Sequence, residues 1–351
     1  MAERPVVVVS LRLGAPGEQE RRLAEAGAEV RSLPLFTPEE IRGSGAGVDV
    51  IILGAVEPFD AAALESLPDV RAIVRRGIGT DNVDLDAATR LGILVANVPD
   101  ASVEDVSDHA LALLLALERR IVPLDTLVHA GAWQRDMTAI LAARSGIRRL
   151  TELTLGVVGF GRIGRALARK ADGIYGRIVA ADPMVAPDAA AAAGVELVPL
   201  DRLLVEADHI SLHTPLLPET RHLINDRVLA GLRRGAIVVN TSRGGVLDQD
   251  AVVRALTAED RRLAAIGLDV TEPEPLPADH PLLATEGVVV TAHSAVASTT
   301  AARELARRSV DAALALLDGR LPDSIVNPEV LASPSLRATG LRATGARAVA
   351  R

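Results

Sequence analysis

The sequence predicts an α/β protein built from two doubly wound parallel sheets, each with helices on both faces. Short β-branched runs alternate with longer amphipathic stretches along most of the chain. The length of 351 residues suits about two domains at roughly 100–200 residues each. Hydrophobic residues make up 49% and aromatic ones only 1%, so the cores must be packed from Ala, Val, Leu and Ile.

Val6–Ser10 reads as a buried first strand, and Glu18–Ala26 as a helix closed by Gly27. Val48–Leu53, Val70–Val74 and Ile93–Ala96 follow as strands, giving a small flavodoxin-like unit. A long helix is expected over Val103–Arg120, with Ser102 as its cap and Glu104 and Asp105 in the first turn, where the helix dipole favours acids. Residues 121–150 read as a helical or irregular connector that carries the single tryptophan, Trp133. A second series of strands then runs through Leu155–Val158, Ile178–Ala181, His209–Leu212, Ala236–Asn240, Ala264–Asp269 and Val288–Thr291. The helix Ala301–Leu317 is expected to return to the first unit and make it discontinuous. The expected domains are thus residues 1–100 with 297–330, and residues 101–296 inserted between them. A short basic repeat, Leu336-Arg337-Ala338-Thr339-Gly340 followed by Leu341-Arg342-Ala343-Thr344-Gly345, marks 331–351 as an expected disordered tail.

Composition removes several function classes. A net charge of −8 and the scarcity of rings argue against a nucleic-acid partner. Cysteine is absent, which excludes disulfides, thiolate catalysis and cysteine-based metal sites. Lys170 is the only lysine, so Schiff-base chemistry and a phosphate-binding GK[ST] loop have no residue to carry them. The run Val6–Val9 is too short for a secretory signal, and no apolar stretch is long enough for a membrane span. A cytoplasmic protein is expected. His109, His129, His209, His222 and His280 show no metal-ligand spacing, and no metal site is assigned.

Gly159-Phe160-Gly161-Arg162-Ile163-Gly164 fits the pattern G-x-G-x-x-G and lies between a strand and a helix. Gly159 permits the tight turn, Gly161 lets the backbone approach a pyrophosphate, and Gly164 allows close helix–strand packing. Asp182 follows after about 20 residues, at the end of the next strand, where a carboxylate accepts from ribose hydroxyls and repels a 2′-phosphate. A Rossmann site for NAD, rather than NADP, is the reading.

Further segments place polar residues just after strands, where ligands of open α/β sheets bind. They are Asn240-Thr241-Ser242-Arg243-Gly244-Gly245, Asp269-Val270-Thr271-Glu272-Pro273-Glu274-Pro275 and Thr291-Ala292-His293-Ser294. An arginine, a glutamate and a histidine at successive strand ends can converge on one crevice. Together with the glycine turn, His213-Thr214-Pro215, Pro218-Glu219-Thr220 and Asn97-Val98-Pro99-Asp100, they resemble the D-isomer-specific 2-hydroxyacid dehydrogenases. The likeness covers residues 1–330 and is nearest the C-terminal-binding-protein-like and phosphoglycerate-dehydrogenase-like branch.

The resemblance implies roles for individual residues. Arg243 would clamp the carboxylate and 2-oxygen of a small anionic 2-hydroxy or 2-keto acid. His293 would exchange the proton with that oxygen. A glutamate would pair with His293 and favour its charged, donating form; the family spacing places this acid five residues after Asp269, directly before a proline, which selects Glu274 over Glu272. Asp269 would face the nicotinamide carboxamide. Cofactor contacts would come from Gly159, Gly161, Arg162, Ile163, Gly164, Asp182, His213, Thr214, Pro215, Thr220, Thr241, Ser242, Arg243, Asp269 and His293. In the first unit, Arg75-Arg76-Gly77-Ile78-Gly79 matches the loop whose Ile78 and Gly79 N–H groups take the substrate carboxylate. The resemblance further implies a homodimer formed through the NAD domain.

The chain departs from the family pattern at particular positions. Ala292 replaces the proline before the histidine, Val296 replaces a large aromatic, and Arg76 replaces an apolar residue. Arg76 raises the alternative of a substrate with a second anionic group, such as a phosphate or phosphonate. From another class, an NAD-sensing scaffold would keep the same residues.

Overall fold

The computed structural model describes residues 4–11 and 17–338. The chain divides into two compact units: residues up to Ser102 together with those from Ser298 onward, and residues Val103–Ala297.

The first unit holds a five-stranded parallel sheet of β1 (Val6–Ser10), β2 (Glu29–Leu33), β3 (Val50–Leu53), β4 (Ala72–Arg75) and β5 (Leu94–Asn97), in the order β2-β1-β3-β4-β5. This is the flavodoxin-like order. Strands β1, β3 and β4 are buried along their whole length, because helices cover both faces. The alternation of the strand divides β1 between two cores: Val6 and Val8 pack with Leu35, Ile41 and Phe59, while Val7 and Val9 pack with Leu23, Val310 and Ala313. Val310 and Ala313 lie on the helix Thr299–Leu317, which is capped by Ser298 accepting from Ala301 N–H. Thr37, Asp60 and Asp84 cap shorter helices in the same way.

Strand β2 escapes a reading from hydrophobic runs. It is an edge strand with the sequence Glu-Val-Arg-Ser-Leu, half-buried and paired on one side only. The tail expectation also needs correction. Residues 331–338 are folded onto the first unit. Arg337 N–H donates to Gly92 O at 2.9 Å. Arg337 Nη1 donates to Leu67 O at 2.7 Å and Val70 O at 3.1 Å, and Ala338 is buried. A basic repeat with few apolar side chains is anchored here by hydrogen bonds to backbone carbonyls together with Leu336, which packs on the core that holds Val7, Val310 and Ala313. The rest of the expected tail, 339–351, lies outside the described residues.

The second unit holds seven parallel strands: β6 (Thr154–Val158), β7 (Arg177–Ala181), β8 (Glu196–Leu197), β9 (His209–Leu212), β10 (Ala236–Asn240), β11 (Leu263–Leu268) and β12 (Val288–Val290). Their order is β12-β11-β10-β9-β6-β7-β8. The direction of winding reverses between β6 and β9, which is the Rossmann switch point and the place where such sheets bind ligands. The helix Val103–Glu118 covers one face through Ala110, Leu113, Leu114 and Leu117. The connector is helical, over Ile121–His129, Ala132–Arg135 and Met137–Arg144.

A buried polar cluster ties the long helix to the sheet. His209 Nε2 lies 2.9 Å from Glu118 Oε2, and its Nδ1 lies 2.7 Å from the Tyr175 hydroxyl. Arg148 Nη2 donates to the same Glu118 oxygen at 2.8 Å. Burial on its own would raise the Glu118 pKa, but the hydrogen bonds from His209 and Arg148 outweigh it and hold the carboxyl at about 2.

Candidate active site

The end of β6 runs into the glycine turn, and steric necessity accounts for two of its glycines. Gly159 has φ +90°, and a Cβ there would sit 2.6 Å from His213 O. A Cβ on Gly164 would lie 2.2 Å from Gly159 O, so the helix Arg162–Ala171 can approach the strand only without a side chain. Gly161 is different: a Cβ there would meet no protein atom within 4 Å. Protein packing does not require that glycine, whereas a ligand lying against the helix N-terminus does. Arg162 is exposed and Ile163 half-buried beside it.

Asp182, at the end of β7, fixes this turn. Its Oδ2 accepts from Phe160 N–H at 2.8 Å and its Oδ1 from Met184 N–H at 2.8 Å. The carboxylate is half-buried.

At the ends of the adjacent strands β9 and β10, Nδ1 of His213 and the hydroxyls of Thr214 and Thr241 are buried without a partner among the described residues. Such groups cost about 1–3 kcal/mol each unless something satisfies them. A row of these groups at the switch point, beside the glycine turn, fits a polar dinucleotide. His213 Nε2 lies 2.9 Å from Ser211 Oγ, and burial pushes its pKa down to about 4, so the ring is neutral near pH 7. Pro215 is exposed at the loop start. Thr220 is spent locally: its hydroxyl donates to Pro215 O at 2.6 Å and accepts from Leu217 N–H at 2.8 Å.

The arginine turn is wound around Asn240. Its Oδ1 accepts from Ser242 N–H at 3.0 Å and Ser242 Oγ at 2.7 Å, and its Nδ2 donates to Arg243 O at 2.8 Å. Arg243 is half-buried, and its Nη1 donates to Ser242 O at 2.8 Å. The backbone of Gly244 packs on that of Thr271 too closely for a Cβ, which would sit 2.1 Å from the Thr271 carbonyl. The turn after β10 thus lies along the loop after β11.

That loop separates the two glutamates. Glu272 forks onto Arg221, with Nη1 at 3.1 and 2.9 Å from its two oxygens. Glu274 Oε1 instead lies 2.6 Å from His293 Nδ1. The peptide bonds before Pro273 and Pro275 are cis.

His293 stands at the end of β12 with φ +49°, a left-handed conformation uncommon for a residue with a side chain. Asp269 is committed to the same loop. Its Oδ1 accepts from Thr291 Oγ at 2.6 Å and Ser294 N–H at 2.8 Å, and its Oδ2 from Ala295 N–H at 3.0 Å. The residue read as facing the nicotinamide therefore holds the histidine loop in place. Asn240 has a comparable part in the arginine turn. The sequence signal for both is a buried polar residue at the very end of a strand, followed by small polar residues.

In the first unit, the side chain of Arg76 is half-buried, with Nη2 3.3 Å from Ala302 O, and burial lowers its pKa. Ile78 is exposed and Gly79 half-buried, while Asn97 Nδ2 donates to Ile78 O at 2.8 Å.

Comparison with known proteins places this geometry. The family described as D-isomer specific 2-hydroxyacid dehydrogenase, NAD binding domain, matches residues 111–295. A glyoxylate reductase of Korarchaeum cryptofilum is 40% identical over 283 residues, 81% of this chain and 84% of that protein. A D-3-phosphoglycerate dehydrogenase of Mycobacterium bovis is 40% identical over 290 residues, 80% of this chain; the chain spans about half the length of that relative, 53% of it. Among solved structures, D-lactate dehydrogenase from Aquifex aeolicus, complexed with NAD and lactic acid, aligns with a TM-score of 0.78 at 27% identity, over 89% of this chain and 96% of that one. A Thermus thermophilus protein aligns with a TM-score of 0.81 at 37% identity, over 92% of this chain and 99% of that one. The chain belongs to the D-isomer-specific 2-hydroxyacid dehydrogenases, NAD-dependent enzymes that act on CH–OH groups.

Proposed function

We propose that the chain interconverts a short 2-keto acid and its D-2-hydroxy acid, with His293 as the proton-exchanging residue, Glu274 as its partner and Arg243 as the carboxylate clamp. The observation that carries the reading is the 2.6 Å contact between Glu274 Oε1 and His293 Nδ1. It occupies one ring nitrogen and leaves Nε2 to give or take the proton. When bound, NADH supplies the hydride to the carbonyl carbon. Arg243 holds the substrate carboxylate and polarises the 2-oxygen. As negative charge builds on that oxygen, His293 Nε2–H donates to it, and the Glu274 carboxylate stabilises the imidazolium before the transfer. Gly159, Gly161, Arg162, Ile163, Gly164 and Asp182 would hold the pyrophosphate and ribose, with His213, Thr214, Thr241 and Ser242 along the strand ends. The N–H groups of Ile78 and Gly79 are proposed as further carboxylate donors.

For the substrate we favour glyoxylate-like acids, because the glyoxylate reductase aligns over most of its own length while the phosphoglycerate enzyme does not. The test is NADH oxidation with glyoxylate and other 2-keto acids, set beside NAD reduction with D-3-phosphoglycerate. Turnover of glyoxylate, lost in Arg243→Ala and His293→Ala, supports the reading. Turnover confined to D-3-phosphoglycerate, weakened by Arg76→Ala, moves the substrate to the doubly charged class. Tight NADH binding without any turnover points to a sensing scaffold.

We also propose a homodimer through the NAD domain. Ile121, Val122, Val128, Trp133, Met137 and Leu141 of the connector are all exposed, Trp133 by 65%, and a second copy of this chain would cover them. Light scattering of wild type and Leu141→Glu tests this, and a wild-type monomer overturns it. Among the described residues no helix is long and apolar enough to cross a membrane. The cytoplasm is the proposed compartment, to be checked by cell fractionation.

A further inference from the structure

We propose that His109 is a positioning residue for the active-site histidine, acting through Thr291 and Asp269 on the backbone of residues 293–295. The proposal rests on the reading of His293 as the proton-exchanging group.

His109 lies on the helix Val103–Glu118, far from residue 293 in sequence. Its side chain is largely buried, 23% exposed, and Nε2 lies 2.9 Å from Thr291 Oγ and 3.5 Å from Asp269 Oδ1. Proton counting sets the direction of the chain. Asp269 accepts backbone N–H groups on both carboxylate oxygens, from Ser294 at 2.8 Å and Ala295 at 3.0 Å. Thr291 donates to Oδ1 at 2.6 Å, which commits its only hydroxyl hydrogen. The lone pair of Thr291 Oγ must then accept, so His109 Nε2 carries the hydrogen. His109 orients Thr291, Thr291 orients the Asp269 carboxylate, and the carboxylate grips the two residues after His293.

The backbone of His293 supplies the reason for such a grip. Its φ of +49° is a conformation that surrounding contacts must impose on a residue with a side chain. His293 N–H is held by Asp269 O at 2.8 Å, so one residue fixes the loop through both its main chain and its side chain. If the carboxylate turns, residues 294 and 295 lose their acceptors, and the ring leaves the orientation in which Nδ1 meets Glu274.

The experiment uses the full chain without cofactor for one readout and steady-state kinetics for the other. Amide hydrogen exchange of Ser294 and Ala295 is followed by NMR in wild type, His109→Ala, His109→Gln and Thr291→Val. Exchange at these two amides should rise about tenfold in His109→Ala and Thr291→Val, with the β6 and β10 amides unchanged. In parallel kcat should fall about tenfold while KM for NADH stays within about twofold. His109→Gln, whose Nε2 can still donate, should recover most of both losses. Because the residues act in series, the His109→Ala/Thr291→Val double variant should fall no further than either single one. Wild-type exchange at Ser294 and Ala295 in His109→Ala, or losses that multiply in the double variant, would overturn the proposal. If His109→Ala does not fold, the near-isosteric Thr291→Val and the Gln variant decide it. A wild type that turns over no 2-keto acid defeats the catalytic reading, while the exchange data still decide whether the link exists.

Discussion

Glu274 Oε1 lies 2.6 Å from His293 Nδ1, while Glu272 is turned away onto Arg221. The loop thus gives two glutamates in nearly identical sequence surroundings different partners, one a histidine and the other a guanidinium. Glu274→Gln should lower kcat about ten- to hundredfold, because the neutral amide no longer stabilises an imidazolium. Glu272→Gln should leave kcat within about threefold, since it removes only an exposed ion pair. Steady-state rates of the two variants side by side check this, and equal losses would contradict it.

Asp182 has two duties that one substitution can separate. Asp182→Asn keeps an oxygen to accept from Phe160 N–H, gives up the acceptor for Met184 N–H, and removes the negative charge. The variant should bind NADP about tenfold more tightly than wild type, with weaker binding of NAD. Calorimetric titration with both dinucleotides reads the change in preference.

His213 makes the folded protein sensitive to mild acid. Its pKa is pushed from 6.5 down to about 4 by burial, so the folded state resists a proton that the unfolded chain takes up. The stabilisation is complete above about pH 6.5 and is lost as pH falls toward about 4, amounting to at most about 3 kcal/mol. Urea unfolding of the cofactor-free protein across this window should show the decline, and His213→Gln should flatten it.

The segment 331–338 should be worth measurable stability. Arg337 and Ser335 bind backbone carbonyls of residues 67, 70 and 90. Ending the chain after residue 330 should lower the melting temperature of the first unit by a few degrees, consistent with a loss of about 1–2 kcal/mol. Differential scanning calorimetry is the check. An unchanged transition would mean that the segment contributes no net stability.

Elements that are buried on both faces were the easiest to read. Strands such as Val6–Ser10 and Ala236–Asn240 are continuous apolar runs because helices cover both sides, and such runs stand out in any window. Glu29–Leu33 and Glu196–Leu197 sit on or near sheet edges, where a strand needs no apolar run. In the site, the glycine turn was legible because only glycine fits at positions 159 and 164. The His109–Thr291–Asp269 chain was not, since its members lie on a helix and just past the ends of two different strands, and nothing in local spacing joins them. The segment 331–338 misled because its order comes largely from hydrogen bonds to backbone carbonyls, with the single side chain of Leu336 packed on the core, and composition registers neither.

The left-handed backbone at His293 has an evolutionary corollary. A lineage that gave up turnover would lose the pressure for an imidazole at this position, but the loop would still demand a positive φ. Substitution there should then favour asparagine or glycine over the aliphatic residues common elsewhere in the chain. A homologue carrying either residue at this point, with its glycine turn intact, would be a fossil of the enzyme retained for dinucleotide binding alone.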